Sequence, residues 1–181
     1  MCHRIPKEEE EEVVKEELSP LGRFIIIDLQ VNQRMFTIAA IYAPNVDTPG
    51  FFVEISNALH RFHCETIICG GDLNVIFNLE LDKKGGIPRI NFKAREKCFE
   101  LMFSHDLVDI WKERNPFDNN CTWSSNVTPG IHCRLDYFLI SRHAGPAVSD
   151  NVFSPGFLSD HSFVCLSIGT QEARRGPGFW N

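Results

Sequence analysis

The chain has 181 residues, 43% of them hydrophobic and 11% aromatic, enough to bury one ordinary core, so a single globular domain is the expectation. Its longest apolar runs, 24–27 and 38–42, have strand length and fall far short of the ~20 residues a membrane-spanning helix needs. The net charge of −6 is uneven: residues 1–20 carry −4, leaving −2 for the other 161, so bulk charge gives no support for nucleic-acid binding and only a local basic face could supply it.

The amino terminus is acidic, unlike a secretory signal. Seven cysteines, an odd number without a Cys-x-x-Cys pair, read as reduced thiols, which places the chain in nucleus or cytoplasm and not outside the cell. His60, His63, Cys64 and Cys69 suggest zinc, yet their spacing fits no standard finger; buried cysteine and surface histidine is the plainer reading.

In chain order, residues 7–17 are a run of glutamates with little to bury, and residues 1–20 are expected to be a disordered acidic head. Ser19-Pro20 and Gly22 mark a boundary. Residues 23–31 and 34–43 are β-rich, separated by Asn32-Gln33, and predict an antiparallel hairpin. Phe51, Phe52, Ile55, Leu59 and Phe62 recur at the helical period and predict a helix over 50–62 packed on a sheet. A short strand over 66–70 ends at Gly70-Gly71, glycines that let the backbone pass close to something. A Lys-rich loop over 80–91 precedes a second helix, 92–104, with Phe92, Phe99, Met102 and Phe103 as its stripe. Residues 107–111 read as a short buried turn or helix, and 122–125, 134–141 and 163–168 as strands. This order predicts a layered α/β sandwich over 21–169, followed by a basic Gly/Pro tail, 170–181.

Four polar clusters lie at strand ends, where backbone is rigid and side chains converge on one rim: Tyr42-Ala43-Pro44-Asn45, Gly71-Asp72-Leu73-Asn74, Arg134-Leu135-Asp136-Tyr137 and Ser159-Asp160-His161-Ser162. Singly, each has an ordinary explanation as a turn, a cap or a strand edge. Ser159-Asp160-His161 is no hydrolase triad, because neighbours on extended chain point to opposite sides.

Together and in this order, the stretches 41–45, 70–75, 134–141 and 159–162 closely resemble the successive motifs of the endonuclease/exonuclease/phosphatase superfamily, which includes exonuclease III and the apurinic endonucleases. The segment Arg174 to Asn181 is similar to the one that follows the endonuclease in LINE-type retrotransposon polyproteins. The resemblance implies a four-layer α/β/β/α sandwich and Mg²⁺-dependent hydrolysis of DNA phosphodiesters, with Mn²⁺ able to replace Mg²⁺. It implies that Asp72 activates water and Asn74 supports it, that His161 faces the phosphate with Asp136 holding its ring, and that Tyr42 reaches the phosphate. Asp160, with Asp72, is the implied metal carboxylate. Asn45, Arg134, Lys83, Lys84 and Trp123 are candidates for DNA or phosphate contact, with Arg89, Lys93 and Arg95 near them; a solvated loop is the competing reading for the lysines, and the core for Trp123. DNA is the expected partner of a monomeric chain, with no membrane and no defined protein partner.

The family's upstream strand Asn and metal-binding Glu have no match in the 41 residues before Tyr42. The expectation is therefore a domain lacking its first strands, with a sheet face left partly bare. A catalytically inactive retrotransposon-derived fragment that at most binds nucleic acid is the alternative.

Overall fold

A computed structural model describes residues 11–86, 90–154, 156 and 158–169. Its strands are β1 (Glu11–Leu18), β2 (Phe24–Val31), β3 (Arg34–Tyr42), β4 (Ile67–Asp72), β5 (Lys83–Lys84), β6 (Leu107–Asp109), β7 (Trp123–Ser124), β8 (His132–Cys133), β9 (Asp136–Ser141), β10 (Val148–Ser154) and β11 (Phe163–Ile168). The helices are α1 (Pro49–Leu59), α2 (Phe92–Ser104) and α3 (Ile110–Arg114). No helix among the described residues is long and apolar enough to cross a membrane.

Six strands form the main sheet in the order β1-β2-β3-β4-β9-β6. Only β3 and β4 pair in parallel, with α1 as their crossover, and the other pairs are antiparallel. Alternation along each strand separates two faces. One face, with Phe24, Ile26, Ala39, Ile41 and Leu139, packs on α1 and α2. The other, with Phe36, Ile68 and Ile140, packs on β10 and β11 through Val148, Leu166 and Ile168. Among the described residues the second sheet consists of these two strands, and the main sheet beyond their reach is partly bare, with Ile25 and its register partner Leu18 both exposed.

The predicted hairpin is β2–β3, in register from Phe24↔Ile41 to Val31↔Arg34. Pro49 starts α1, where its fixed φ suits the first turn. Phe52, Ile55 and Leu59 of α1 are almost fully buried, each contributing ~1.5–3 kcal/mol relative to exposure. Asp47 accepts from the backbone N–H of Lys93 and Ala94 and so caps α2 from a distance.

Three features differ from the sequence reading. Residues 11–18, expected within the disordered head, form the edge strand β1. The open edge of β2 supplies register partners for every residue of it except Val14, where the register shifts, an Arg61–Glu17 ion pair ties it to the chain just past α1, and the Lys15 ammonium lies 4.3 Å from the Phe62 ring. The head's first ten residues and the tail 170–181, with its LINE-like segment, lie outside the described residues. The second difference is the rotation of α2. Its buried residues are Ala94, Cys98 and Leu101, while Phe92, Phe99 and Phe103 face outward; small side chains let α2 approach α1 closely, which a row of rings would prevent. The third is β10, a strand the sequence pattern did not reveal because half of it is polar.

Candidate active site

The candidate site forms where β3 and β4 end and β9 begins. Because β3 and β4 are parallel and β9 is antiparallel to them, their motif residues fall on one rim. Tyr42 pairs with Asp72, and Asp72 pairs with Asp136, so the three stand in a row across adjacent strands with Cβ atoms ~4.5–5.5 Å apart at each step. The close approach of β4 depends on Gly71, whose φ is 132° and where a Cβ would sit 2.0 Å from the Ile41 carbonyl oxygen.

After β4 the chain turns through Asn74, a left-handed residue at φ 50°, a conformation asparagine tolerates. Asp72 accepts from the Asn74 backbone N–H and side-chain amide, both at 2.9 Å, and that amide also donates to the Ala43 carbonyl. The 70–75 motif is thereby tied to the 41–45 motif. Asn45 is exposed on the same rim.

His161 arrives from the loop before β11. Its Nδ1 lies 2.9 Å from Asp136 Oδ2. An ionised carboxylate only accepts, so Nδ1 carries the proton and Nε2 is left for a ligand. The loop is held by an isolated bridge between Trp123 and His161 and by Ser124 N–H donating to the Asp160 carbonyl. The Trp123 indole N–H donates to Asp160 Oδ2 at 2.9 Å.

Thr122, which the sequence reading passed over in favour of its neighbour Trp123, joins these pieces. It is 1% exposed. Its hydroxyl oxygen accepts from the N–H groups of Leu135 and Asp136 at 3.0 and 3.1 Å, and its carbonyl accepts from Ser162 N–H. One residue thus sets Asp136 and the His161 loop relative to each other. The available signal was a threonine inside a Cys-Thr-Trp-Ser run, too common to single out.

Arg134, expected at the DNA surface, is instead 0% exposed. Its guanidinium donates to Asp82 Oδ1 at 2.9 Å and to Asp109 Oδ2 at 2.5 Å, and lies over the Tyr137 ring. Burial works against its charge, but the Asp109 and Asp82 partners more than offset that and raise its pKa. Two buried carboxylates need a cation more than the surface does.

The remaining candidates divide. A cavity of about 240 Å³ beside Asn74 is lined by Asn45, Lys83 and Trp123 as well, with Ile76 and Leu135 among its apolar walls. The Lys83 ammonium donates to the carbonyls of Gly85 and Gly86. Lys84 and Lys93 are exposed, Arg95 lies over Phe92 and Phe99, and Arg89 is outside the described residues. The four zinc candidates do not converge: His60 packs on His105, His63 and Cys64 line a cavity at the opposite end of the sheet, and Cys69 is buried, its thiol pushed up to about 12 by desolvation.

The Asp72 carboxyl is pushed up to about 6, first by burial and further by the Asp136 charge, against the opposing Asn74 hydrogen bonds and His161. Between the ordinary value of 3.8 and about 6 the folded chain holds a proton that the unfolded chain has released. This group's contribution to stability therefore falls as pH rises through that window and stays low above it. In metal-free protein, the stability gain of Asp72→Asn over the native residue is expected to be ~1 kcal/mol greater at pH 7.5 than at pH 4.5, after discounting for solvent screening. Urea unfolding in EDTA at both pH values measures it, and equal differences would refute the assignment.

Among the described residues no three His, Cys, Asp or Glu side chains form a metal cage. The donors fit a smaller demand. Mg²⁺ takes one or two carboxylates and fills its shell with water and phosphate oxygens, and Asp72, partly buried beside Asp136, is a carboxylate that a cation would stabilise as the anion.

No protein-family model matches the chain. It is 25% identical over 166 residues to the uncharacterized 149 kDa protein of transposon TX1 from Xenopus laevis, a match covering 88% of this chain and 12% of that protein. An AP endonuclease from Leishmania major superposes with a TM-score of 0.70 at 19% identity, over 83% of this chain and 55% of that one. The endonuclease domain of TRAS1, a telomere-specific non-LTR retrotransposon, superposes with a TM-score of 0.64 at 12% identity, over 87% and 70%. The chain thus spans about half of the Leishmania enzyme and about one eighth of the transposon protein. It has the α/β fold of the endonuclease/exonuclease/phosphatase superfamily, shared with AP endonucleases and with a non-LTR retrotransposon endonuclease domain.

Proposed function

We propose that the chain hydrolyses DNA phosphodiesters with Mg²⁺ at the rim formed by Tyr42, Asp72, Asn74, Asp136 and His161. The observation that carries this reading is the cross-strand row Tyr42, Asp72, Asp136 with His161 hydrogen-bonded to its end. Asp72, in the cross-strand row beside Asp136, orients a water and takes its proton. Asn74 holds that carboxylate in place. Asp136 fixes the His161 ring so that Nε2 meets a phosphate oxygen. The exposed Tyr42 hydroxyl reaches the same phosphate.

Asp72 and Asp160 would hold the ion, which when bound supplies the positive charge that offsets repulsion between a phosphodiester anion and an incoming hydroxide. Lys84, Lys93 and the cavity residues Asn45, Lys83 and Trp123 are the DNA contacts in this reading. Arg134 is excluded from them by its burial. Purified full-length chain is expected to nick supercoiled plasmid or abasic duplex with Mg²⁺ and to stop on EDTA addition. Cleavage that survives EDTA, or that is equal in an Asp72→Asn chain, would sink the proposal.

A second reading, DNA binding without cleavage, is favoured by the absence of a three-ligand acidic or histidine cluster among the described residues. Metal-dependent nicking removes it; retention of duplex DNA with no nicking at any Mg²⁺ or Mn²⁺ concentration would select it.

A further inference from the structure

β7 is only two residues long, yet it is the frame on which the His161 loop is laid. The Thr122 carbonyl, just before it, accepts from Ser162 N–H, Trp123 bridges His161, and Ser124 N–H donates to the Asp160 carbonyl. These contacts run antiparallel in steps of one residue, so the backbone of 160–162 is fixed as a paired strand would be. Asp160 receives one contact more. The Trp123 indole N–H donates to its Oδ2 at 2.9 Å, while its Oδ1 accepts from no group among the described residues.

The chain contains its own comparison. Trp111 donates its indole N–H to Asp118 Oδ2 at 2.8 Å, the same pairing of ring and carboxylate. There both oxygens are used: Oδ2 also accepts from Asn120 N–H at 3.1 Å, and Oδ1 accepts from the Asn120 side-chain amide at 3.0 Å. Asp118 is a carboxylate spent on closing a turn. Asp160 is held by one oxygen and keeps the acceptor capacity of the other for a ligand. Trp123 also stands between two parts of the site, because its ring lines the cavity that Asn45 and Asn74 line, and Asn74 in turn holds Asp72.

We propose that Trp123 is a positioning residue for the cation: by engaging Oδ2 it makes Asp160 a ligand through Oδ1 alone. This rests on the reading that Asp72 and Asp160 hold Mg²⁺. The consequence is selectivity between ions. Mg²⁺ demands near-octahedral geometry and takes carboxylate oxygens singly among waters, whereas Ca²⁺ accepts both oxygens of one carboxylate in a looser shell. An Asp160 tied at Oδ2 presents the single oxygen that suits Mg²⁺. Released from the indole, it can turn and chelate with both oxygens, which suits Ca²⁺.

Trp123→Phe tests this, since phenylalanine keeps an aromatic ring at the cavity and deletes the N–H donor. Ion binding to the full-length, DNA-free chain is read from the Asp160 and His161 amide signals in nitrogen-15 NMR spectra, titrated with Mg²⁺ and separately with Ca²⁺. The Mg²⁺ Kd is expected to rise ~10-fold, the cost of losing a hydrogen bond that orients a metal ligand. The Ca²⁺ Kd is expected to change ~3-fold or less, so the preference moves toward Ca²⁺. In the native chain, where folding of a variant is not in question, the Trp123 indole signal shifts with Mg²⁺ while that of Trp111 stays in place. An unchanged Mg²⁺ Kd, an equal loss for both ions, or an indole signal indifferent to Mg²⁺ while the Asp160 amide responds overturns the role of Trp123 and leaves the cleavage reading standing. Native Asp160 and His161 signals that ignore Mg²⁺ up to ~20 mM overturn the assignment of Asp160 to the ion, and the role of Trp123 with it, whether or not plasmid is nicked.

Discussion

Arg134→Met is expected to lower folding stability by ~3–5 kcal/mol, because it strips the charge partner from buried carboxylates. Asp82 is 0% exposed and Asp109 7%; of the cations paired with them among the described residues, only Lys112, 3.1 Å from Asp82 Oδ1, remains after the change. Asp109 loses its ion pair altogether. Against a total stability of ~5–15 kcal/mol, the loss leaves a marginal fold or none. Urea unfolding measures it, with one control that separates charge from packing. Adding Asp82→Asn and Asp109→Asn to Arg134→Met is expected to recover part of the loss, because the uncompensated charges are then gone. A single variant that loses less than ~1 kcal/mol but binds DNA more weakly would return Arg134 to the DNA surface.

Asp136→Asn is expected to slow the proposed DNA cleavage by ~10²–10⁴-fold, the range of a positioned proton-transfer group, while leaving the fold intact. The carboxylate accepts from His161 Nδ1 at 2.9 Å, and an amide can present its NH₂ there instead, moving the ring proton to the wrong nitrogen. His161→Ala is expected to fall in the same range and, combined with Asp136→Asn, to add little, because the two act as one unit. Single-turnover cleavage with circular dichroism on the same samples decides it. An unchanged rate in Asp136→Asn would dissolve the pair's proposed role.

The parts of this architecture legible in the sequence are those governed by near neighbours. The β2–β3 hairpin follows from two apolar strands about a two-residue polar turn, and α1 from a helical period that Phe52, Ile55 and Leu59 keep facing inward. The four motifs, in order at strand ends, indicated the fold and gave Asp72, Asp136 and His161 as candidates for one site; the register of β3, β4 and β9 sets Tyr42, Asp72 and Asp136 on a common rim, and a hydrogen bond to Asp136 brings His161 beside them.

What tertiary structure alone decided depends on partners far away along the chain. Arg134 turns inward because its carboxylates lie 52 and 25 residues upstream, at positions no local pattern connects to it. β1 exists because β2 offers an open edge, which outweighs the weak strand character of a glutamate run. Both faces of α2 are apolar enough to be the inner one, and the close approach of α1 selects Ala94 and Cys98 over the larger rings. Thr122 matters only once three segments meet around it. Local periodicity reports which residues can share a face, whereas burial, charge pairing and edge pairing depend on what the rest of the chain brings to that face.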